Sequence, residues 1–314
     1  MKKQLISMVL MAAMTVSMLT GCETADGKKT EAPSSENQAA AEVKAEDEGK
    51  ASEGGEDYSY HWKLATTESS DYYMTQLSQE FLDIVEEKTG GKVTGEVFAS
   101  GQLGGLVDAL EGLEMGNIDI VMDGVSSLSA VDDIFNVWCL PFLYDNKEHQ
   151  YRFWDNHFDE VSDMVAEQSG FRLVSVIDGM NRELASTVPV ESMADLKGLK
   201  IRVPNIPGYV RIWECLGAAP IPMSLSEVYT SIQTGVVQGQ ENDIALTLSL
   251  KFYEVAPYCV MTDHVAYEGS FYFNEEEYQS YPDELKQIIQ EAGEEIKLKS
   301  RNMIKEQEME CMKQ

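Results

Sequence analysis

Arg202 stands near the end of a short strand-like run, Leu199 to Val203, which Pro204 stops because proline has no amide hydrogen to give a sheet. A guanidinium is planar and permanently charged, and it can grip a carboxylate through two parallel hydrogen bonds. Further on, Val236 and Val237 open another short strand whose far end carries Gln240, Glu241 and Asn242. An asparagine amide donates and accepts at once, which suits carboxylate or hydroxyl oxygens. Asp123 ends the apolar run Ile118 to Met122 and is placed to accept from hydroxyl groups. Phe142, Trp138 and Tyr209 are candidates for an apolar wall. Each has a plainer use: the arginine in an internal salt bridge, the asparagine in a turn, the acid in water, the aromatics in a core. Taken as a set, the chemistry on offer is capture of a small polar anion.

Catalytic signals are lacking. The four histidines, His61, His149, His157 and His264, have no metal-ligand spacing, and no H-E-x-x-H, G-x-S-x-G or phosphate-cradling glycine loop occurs. Of five cysteines, Cys139, Cys215, Cys259 and Cys311 are scattered without C-x-x-C pairing, so buried thiols are expected and neither a disulfide framework nor a metal site is. No catalytic residue, metal or cofactor is therefore assigned. The net charge of -30 argues against nucleic acid, whose phosphates need a basic face.

The elements that position these residues are legible. Strand-like Tyr60 to Ala65, a helical face over Tyr72 to Lys88, strand-like Val93 to Phe98, helical Leu106 to Met115 and the buried run Ile118 to Met122 alternate with short connections. That rhythm implies an α/β fold with a mostly parallel sheet covered by helices. A helix over Tyr151 to Gln168 and a strand over Phe171 to Ile177 follow. The pattern then restarts with Glu183 to Thr187, the helix Pro207 to Leu216 stopped by Gly217, and a Ser224/Glu227 capping box before a helix closed at Gly235. Strands over Tyr258 to Thr262 and Tyr267 to Asn274 lead to a long acidic helix after Pro282.

The runs D-L-K-G-L-K-I-R-V-P, L-G-A-A-P-I-P-M, S-E-V-Y-T-S-I-Q-T-G-V-V-Q-G-Q-E-N and F-Y-E-V…M-T-D-H, in that order, resemble the solute receptors of tripartite ATP-independent periplasmic (TRAP) transporters, the DctP family. The resemblance covers Tyr58 to the end of the chain; Gln238 and Asp243 depart from it, standing where aspartate and proline are usual. It implies two α/β lobes of the periplasmic-binding-protein type, joined by strands crossing near Asp178 and Tyr267. It implies that Arg202 clamps the ligand carboxylate, with Arg182 as the second arginine. It also implies that the Thr67 to Asp71 loop and the Asp123 to Ser126 strand end face them, and that the W-C-L-P-F-L-Y loop holds Phe142. Leu225 replaces an aromatic that sialic-acid binders carry, which disfavours that ligand.

The chain start is a targeting signal, with Lys2 and Lys3, the apolar run Leu5 to Leu19, and the lipobox Leu19-Thr20-Gly21-Cys22. Cys22 is expected to become the lipidated N-terminus, anchored outside the cytoplasmic membrane or in the periplasm. The organisation expected is a signal peptide over residues 1–22, a disordered tether over 23–57, lobe I over 58–178, lobe II over 179–267, and a return to lobe I over 268–314. Lacking a C-cap, the last helix suggests a truncated reading. The expected function is a monomeric, non-enzymatic receptor that delivers an organic acid anion to TRAP membrane subunits. A sugar acid comes before a C4-dicarboxylate as its ligand. A sensor subunit for a membrane kinase and a secreted α/β hydrolase are the rival readings.

Overall fold

The computed structural model describes residues 58–311 and 313; the expected signal peptide, Cys22 and the tether lie outside the described residues. β1 (Tyr60–Ala65), α1 (Tyr73–Thr89), β2 (Val93–Phe98), α2 (Leu106–Glu114) and β3 (Ile120–Gly124) follow the alternation that the apolar periodicity predicts. At the end of α1, Gly90 takes φ 64 and its amide returns to the Glu87 carbonyl at 3.1 Å, the left-handed stop that a glycine permits. Two 3-10 segments, Val125–Ala130 and Asp133–Cys139, precede α3 (Lys147–Ser169). Then come β4 (Phe171–Ser186), β5 (Lys200–Val203), α4 (Pro207–Cys215), β6 (Ala219–Pro222), α5 (Val228–Gln233), β7 (Gly239–Asn242) and α6 (Ile244–Ser249). β8 (Tyr258–Asn274), α7 (Glu275–Ser280) and α8 (Asp283–Cys311) complete the chain.

The strands form one eight-stranded sheet in the order β2-β1-β3-β8-β4-β7-β5-β6. Its two ends are parallel, β1 pairing β2 and β3, and β5 pairing β6 and β7. Its centre is antiparallel, with β8 against β3 and β4, and β4 against β7. The mostly parallel expectation thus holds for the flanks, while the middle is set by two strands that run through both halves in opposite directions.

Those two strands correct the sequence reading. Four separate short strands were expected, yet Phe171–Ser186 is continuous over 16 residues and Tyr258–Asn274 over 17. The apolar alternation breaks at Asp178 and Gly179, where the β4–β8 register also slips, so one bent strand reads as two. β6, which the sequence reading does not place, holds Pro220 and Pro222. At the sheet edge, where it pairs only with β5, their missing donors cost the ladder little. β7 begins at Gly239 rather than Val236, after a turn in which Gly235 takes φ 75.

Alternate residues of the first half enter opposite cores. Trp62, Leu64, Ile120 and Met122 pack with α1 and α8, while Ala65 and Val121 pack with α2 and α3. Ile201 and Val203 of β5 pack with Tyr209 and Trp213 of α4, and Ala185 of β4 with Val228 and Ile232 of α5. Each fully buried large side chain contributes roughly 1.5–3 kcal/mol, which fixes the sheet between its helix layers and so holds the strand ends in place. Among the described residues no helix is long and apolar enough to cross a membrane.

Candidate functional site

The carboxyl ends of the parallel strands border a cavity of about 120 Å³, the position where open α/β sheets place ligands. Glu68, Asp123 and Ser126 line it from one half of the sheet; Arg182, Arg202, Tyr209, Met223 and Asn242 line it from the other, and Tyr267 of β8 lies between. Ser126 Oγ and Tyr209 Oη, one from each half, lie 3.0 Å apart in a buried hydrogen bond.

The two arginines live in opposite circumstances. Arg182 is 5% exposed and its Nε donates to Glu241 Oε2 at 2.6 Å, while Nη2 reaches Glu241 Oε1 at 2.9 Å and Asn242 Oδ1 at 2.8 Å. The guanidinium also lies over the rings of Tyr209 and Tyr267, at 4.9 and 5.4 Å. Strand pairing explains the match, since β7 lies against β4 with Glu183 opposite Asn242 and Leu184 opposite Glu241. Burial alone would raise the Glu241 carboxyl, but the Arg182 charge and hydrogen bonds from His264 and Arg182 outweigh it and hold it at about 2. His264 Nε2 lies 3.2 Å from the same Glu241 oxygen, and Thr262 Oγ1 meets its Nδ1 at 2.8 Å. The Arg182 charge is spoken for.

Arg202 is 3% exposed, and its Nε and Nη2 both donate to the Met223 carbonyl, at 3.0 and 2.8 Å. Among the described residues no carboxylate pairs with it within salt-bridge distance. Burial pulls its pKa down to about 10, the mark of a desolvated charge without a partner to match. A buried cation fixed by one carbonyl and bordering a cavity has charge and donors left over to meet an anion.

The other expected residues divide. Asn242 borders the cavity with Oδ1 bonded to Arg182 and Nδ2 donating to Gln240 Oε1 at 2.8 Å. Asp123 borders it too, and its Oδ1 accepts from the Gly124 amide at 2.7 Å and Ser127 Oγ at 2.5 Å. Burial raises the Asp123 carboxyl, against hydrogen bonds from Ser127 and Gly124. Phe142 does not join them. Its backbone turns at φ 55, its amide bonds the His264 carbonyl at 3.1 Å, and the ring is left 70% exposed, outside the cavity lining. Trp138 is core, stacked near Phe135 and Trp154 at 6.0 and 6.1 Å, whereas Tyr209 does form part of the wall.

Glu68 was not singled out, although its loop was; only the fold shows that Tyr267 Oη reaches its Oε1, at 3.2 Å. Met223 contributes a carbonyl, which no side-chain pattern can announce. Asp243, where a proline is usual in the family it resembles, caps α6 by accepting from the Leu246 amide at 2.9 Å, and its other oxygen accepts from Tyr72 Oη at 2.6 Å.

A mixed α/β sheet with a charged cleft at its strand ends defines a solute-binding protein of the two-lobed periplasmic class. Residues 64–314 match the family described as bacterial extracellular solute-binding protein, family 7 (DctP), and the chain belongs to it. Members of this family are TRAP receptors that bind small organic acids and work with membrane subunits. The chain is similar to the sialic acid-binding periplasmic protein SiaP of Vibrio cholerae, with 31% identity over 231 residues, 73% of this chain and 72% of the relative. It is 37% identical over 178 residues to the solute-binding protein RD1_1052 of Roseobacter denitrificans, spanning 56% of this chain and 54% of that relative's length. The crystal structure of a TRAP solute-binding protein from Sulfitobacter with bound β-D-galacturonate superposes with a TM-score of 0.76 at 29% identity, covering 81% of this chain and 85% of that one.

Proposed function

We propose that this TRAP solute receptor captures a sugar acid, a uronate or an aldonate, with Arg202 clamping the carboxylate and Arg182, Asn242 and Asp123 completing the site. The observation that carries the reading is the Arg202 guanidinium, buried at the cavity with a single backbone carbonyl as its partner. The galacturonate held by the Sulfitobacter relative supports the ligand class. The role is binding and hand-over rather than catalysis, performed by a monomer tethered through lipid on Cys22.

Calorimetric titration with hexuronates, hexonates and C4-dicarboxylates tests the ligand. A sugar acid at a hundred times its Kd should stabilise the chain by about 2.7 kcal/mol. If only plain dicarboxylates bind, the sugar-acid assignment is wrong. The anchor is tested separately: radiolabelled fatty acid should enter the wild type and not Cys22→Ser, and equal labelling would rule out lipidation there.

A further inference from the structure

The wall facing Arg202 carries a feature that anion capture does not use. Glu68 is 3% exposed and borders the cavity, and its Oε2 is buried without a hydrogen-bond partner among the described residues. A buried acceptor left unpaired costs on the order of 1–3 kcal/mol, so such an atom at a binding cavity marks where a ligand donor belongs. The residue is held firmly. Its amide donates to Thr66 Oγ1 at 3.2 Å, its carbonyl accepts from the Ser100 amide at 2.6 Å, and its Oε1 accepts from Tyr267 Oη at 3.2 Å.

Charge sharpens the requirement. Among the described residues neither Glu68 nor Asp123 lies within salt-bridge distance of a basic side chain, because Arg182 is matched to Glu241 and Arg202 is held by a carbonyl. Burial raises both carboxyls, Glu68 well above the usual carboxylate range with Asp123 adding to the rise, so ionisation on this wall is already costly. The cavity thus offers one unmatched cation and, facing it, an acidic wall with an open acceptor. A ligand with one carboxylate and hydroxyl groups on the carbons beyond it fits both sides. A second carboxylate at the far end would be buried beside these carboxyls, neither of which has a basic side chain within salt-bridge distance among the described residues.

We propose that Glu68 is the specificity-determining residue of this receptor, accepting a hydrogen bond from a ligand hydroxyl and excluding dicarboxylates of the same length. The inference rests on the anion-binding reading above and goes further, because it separates acids that share a carbon chain. Galactonate, galactarate and hexanoate are each titrated into the wild type, Glu68→Gln, Tyr267→Phe and Arg202→Ala, and the pair gluconate and glucarate repeats the comparison in a second hydroxyl configuration. The wild type should bind at least one hexonate with an affinity about tenfold or more above that for the matching aldarate and for hexanoate. Glu68→Gln keeps the shape and removes the ionisable carboxyl, and should narrow the hexonate-to-aldarate ratio by about tenfold. Tyr267→Phe, which frees Glu68 Oε1, should move the ratio the same way by less, and does so without touching the carboxyl if that variant alone folds well.

Aldarate binding as tight as hexonate binding in the wild type overturns the proposal whatever the variants do. An unchanged ratio in a folded Glu68→Gln also overturns it while leaving the receptor reading intact, provided that binding still depends on Arg202. If no sugar acid binds, or if Arg202→Ala binds as well as the wild type, the anion-receptor reading fails and this inference falls with it.

Discussion

Two arginines of one cavity show how little residue type says without its partners. Arg182 is locked to Glu241 by a two-pronged pair at 2.6 and 2.9 Å, so removing it strands a buried carboxylate. Arg182→Ala should lower ligand-free stability by about 3–5 kcal/mol, read from denaturant melts. Arg202→Ala should leave ligand-free stability unchanged or slightly higher, because its buried charge has only the Met223 carbonyl to offset desolvation. Its cost appears in binding, at about 2–5 kcal/mol of affinity, with Arg202→Lys recovering part because an ammonium keeps the charge but loses the fork. Equal stability losses in the two alanine variants would show that the arginines are not divided in this way.

At the scale of elements, β4 and β8 do the positioning, and they cross where side chains leave little room. A methyl group on Gly179 would stand 2.7 Å from the Tyr267 carbonyl and 2.9 Å from Met74 Cε. The nearest neighbour is backbone, so it cannot swing aside. Gly179→Ala should cost about 1–3 kcal/mol in melts and, by displacing Tyr267, loosen the hold on Glu68 and weaken ligand binding. A wild-type melt and affinity for this variant would mean that the crossing is softer than the contacts imply. α8 approaches the same strand at Gly293, whose carbonyl accepts from Ser175 Oγ at 2.5 Å, with Ser175 at φ 67.

The molecule as a whole should be most stable on the acid side of neutrality. Burial pushes the Asp178 carboxyl up to about 6, against Arg301, and burial pushes Glu183 up to about 7, against hydrogen bonds from Asp263 and Thr262. Both hold protons when folded that the unfolded chain has released, so their contribution is full below the ordinary carboxylate pKa and is lost as pH rises through about 6 to 7. Glu241 acts oppositely: its contribution is present above the ordinary carboxylate pKa and is lost as pH falls through about 2. Self-repulsion of a chain with net charge -30 adds to the decline at higher pH. Urea midpoints should fall between about pH 5 and about pH 8, and Glu183→Gln should flatten part of that fall. A midpoint that rises over this range would contradict the burial of these carboxyls.

What the sequence determined by itself is what short-range physics encodes. Pro204 ended β5, Gly90 and Gly235 took left-handed turns, and the Ser224 amide donates to Glu227 at 3.1 Å in the expected capping box. Each signal acts over a few residues, and so do the apolar alternations that marked β1 and β2 to the residue. The family motifs located the cavity region because they lie in those same turns and strand ends. Tertiary structure alone decided which arginine is neutralised, since β4–β7 pairing brings Glu241 to Arg182 from 59 positions away. It alone turned Phe142 outward and joined Glu68 to Tyr267 across 199 positions. Charge and acceptor strength belong to a residue, but whether they are spent on the protein or left for a ligand depends on neighbours that only the folded sheet supplies.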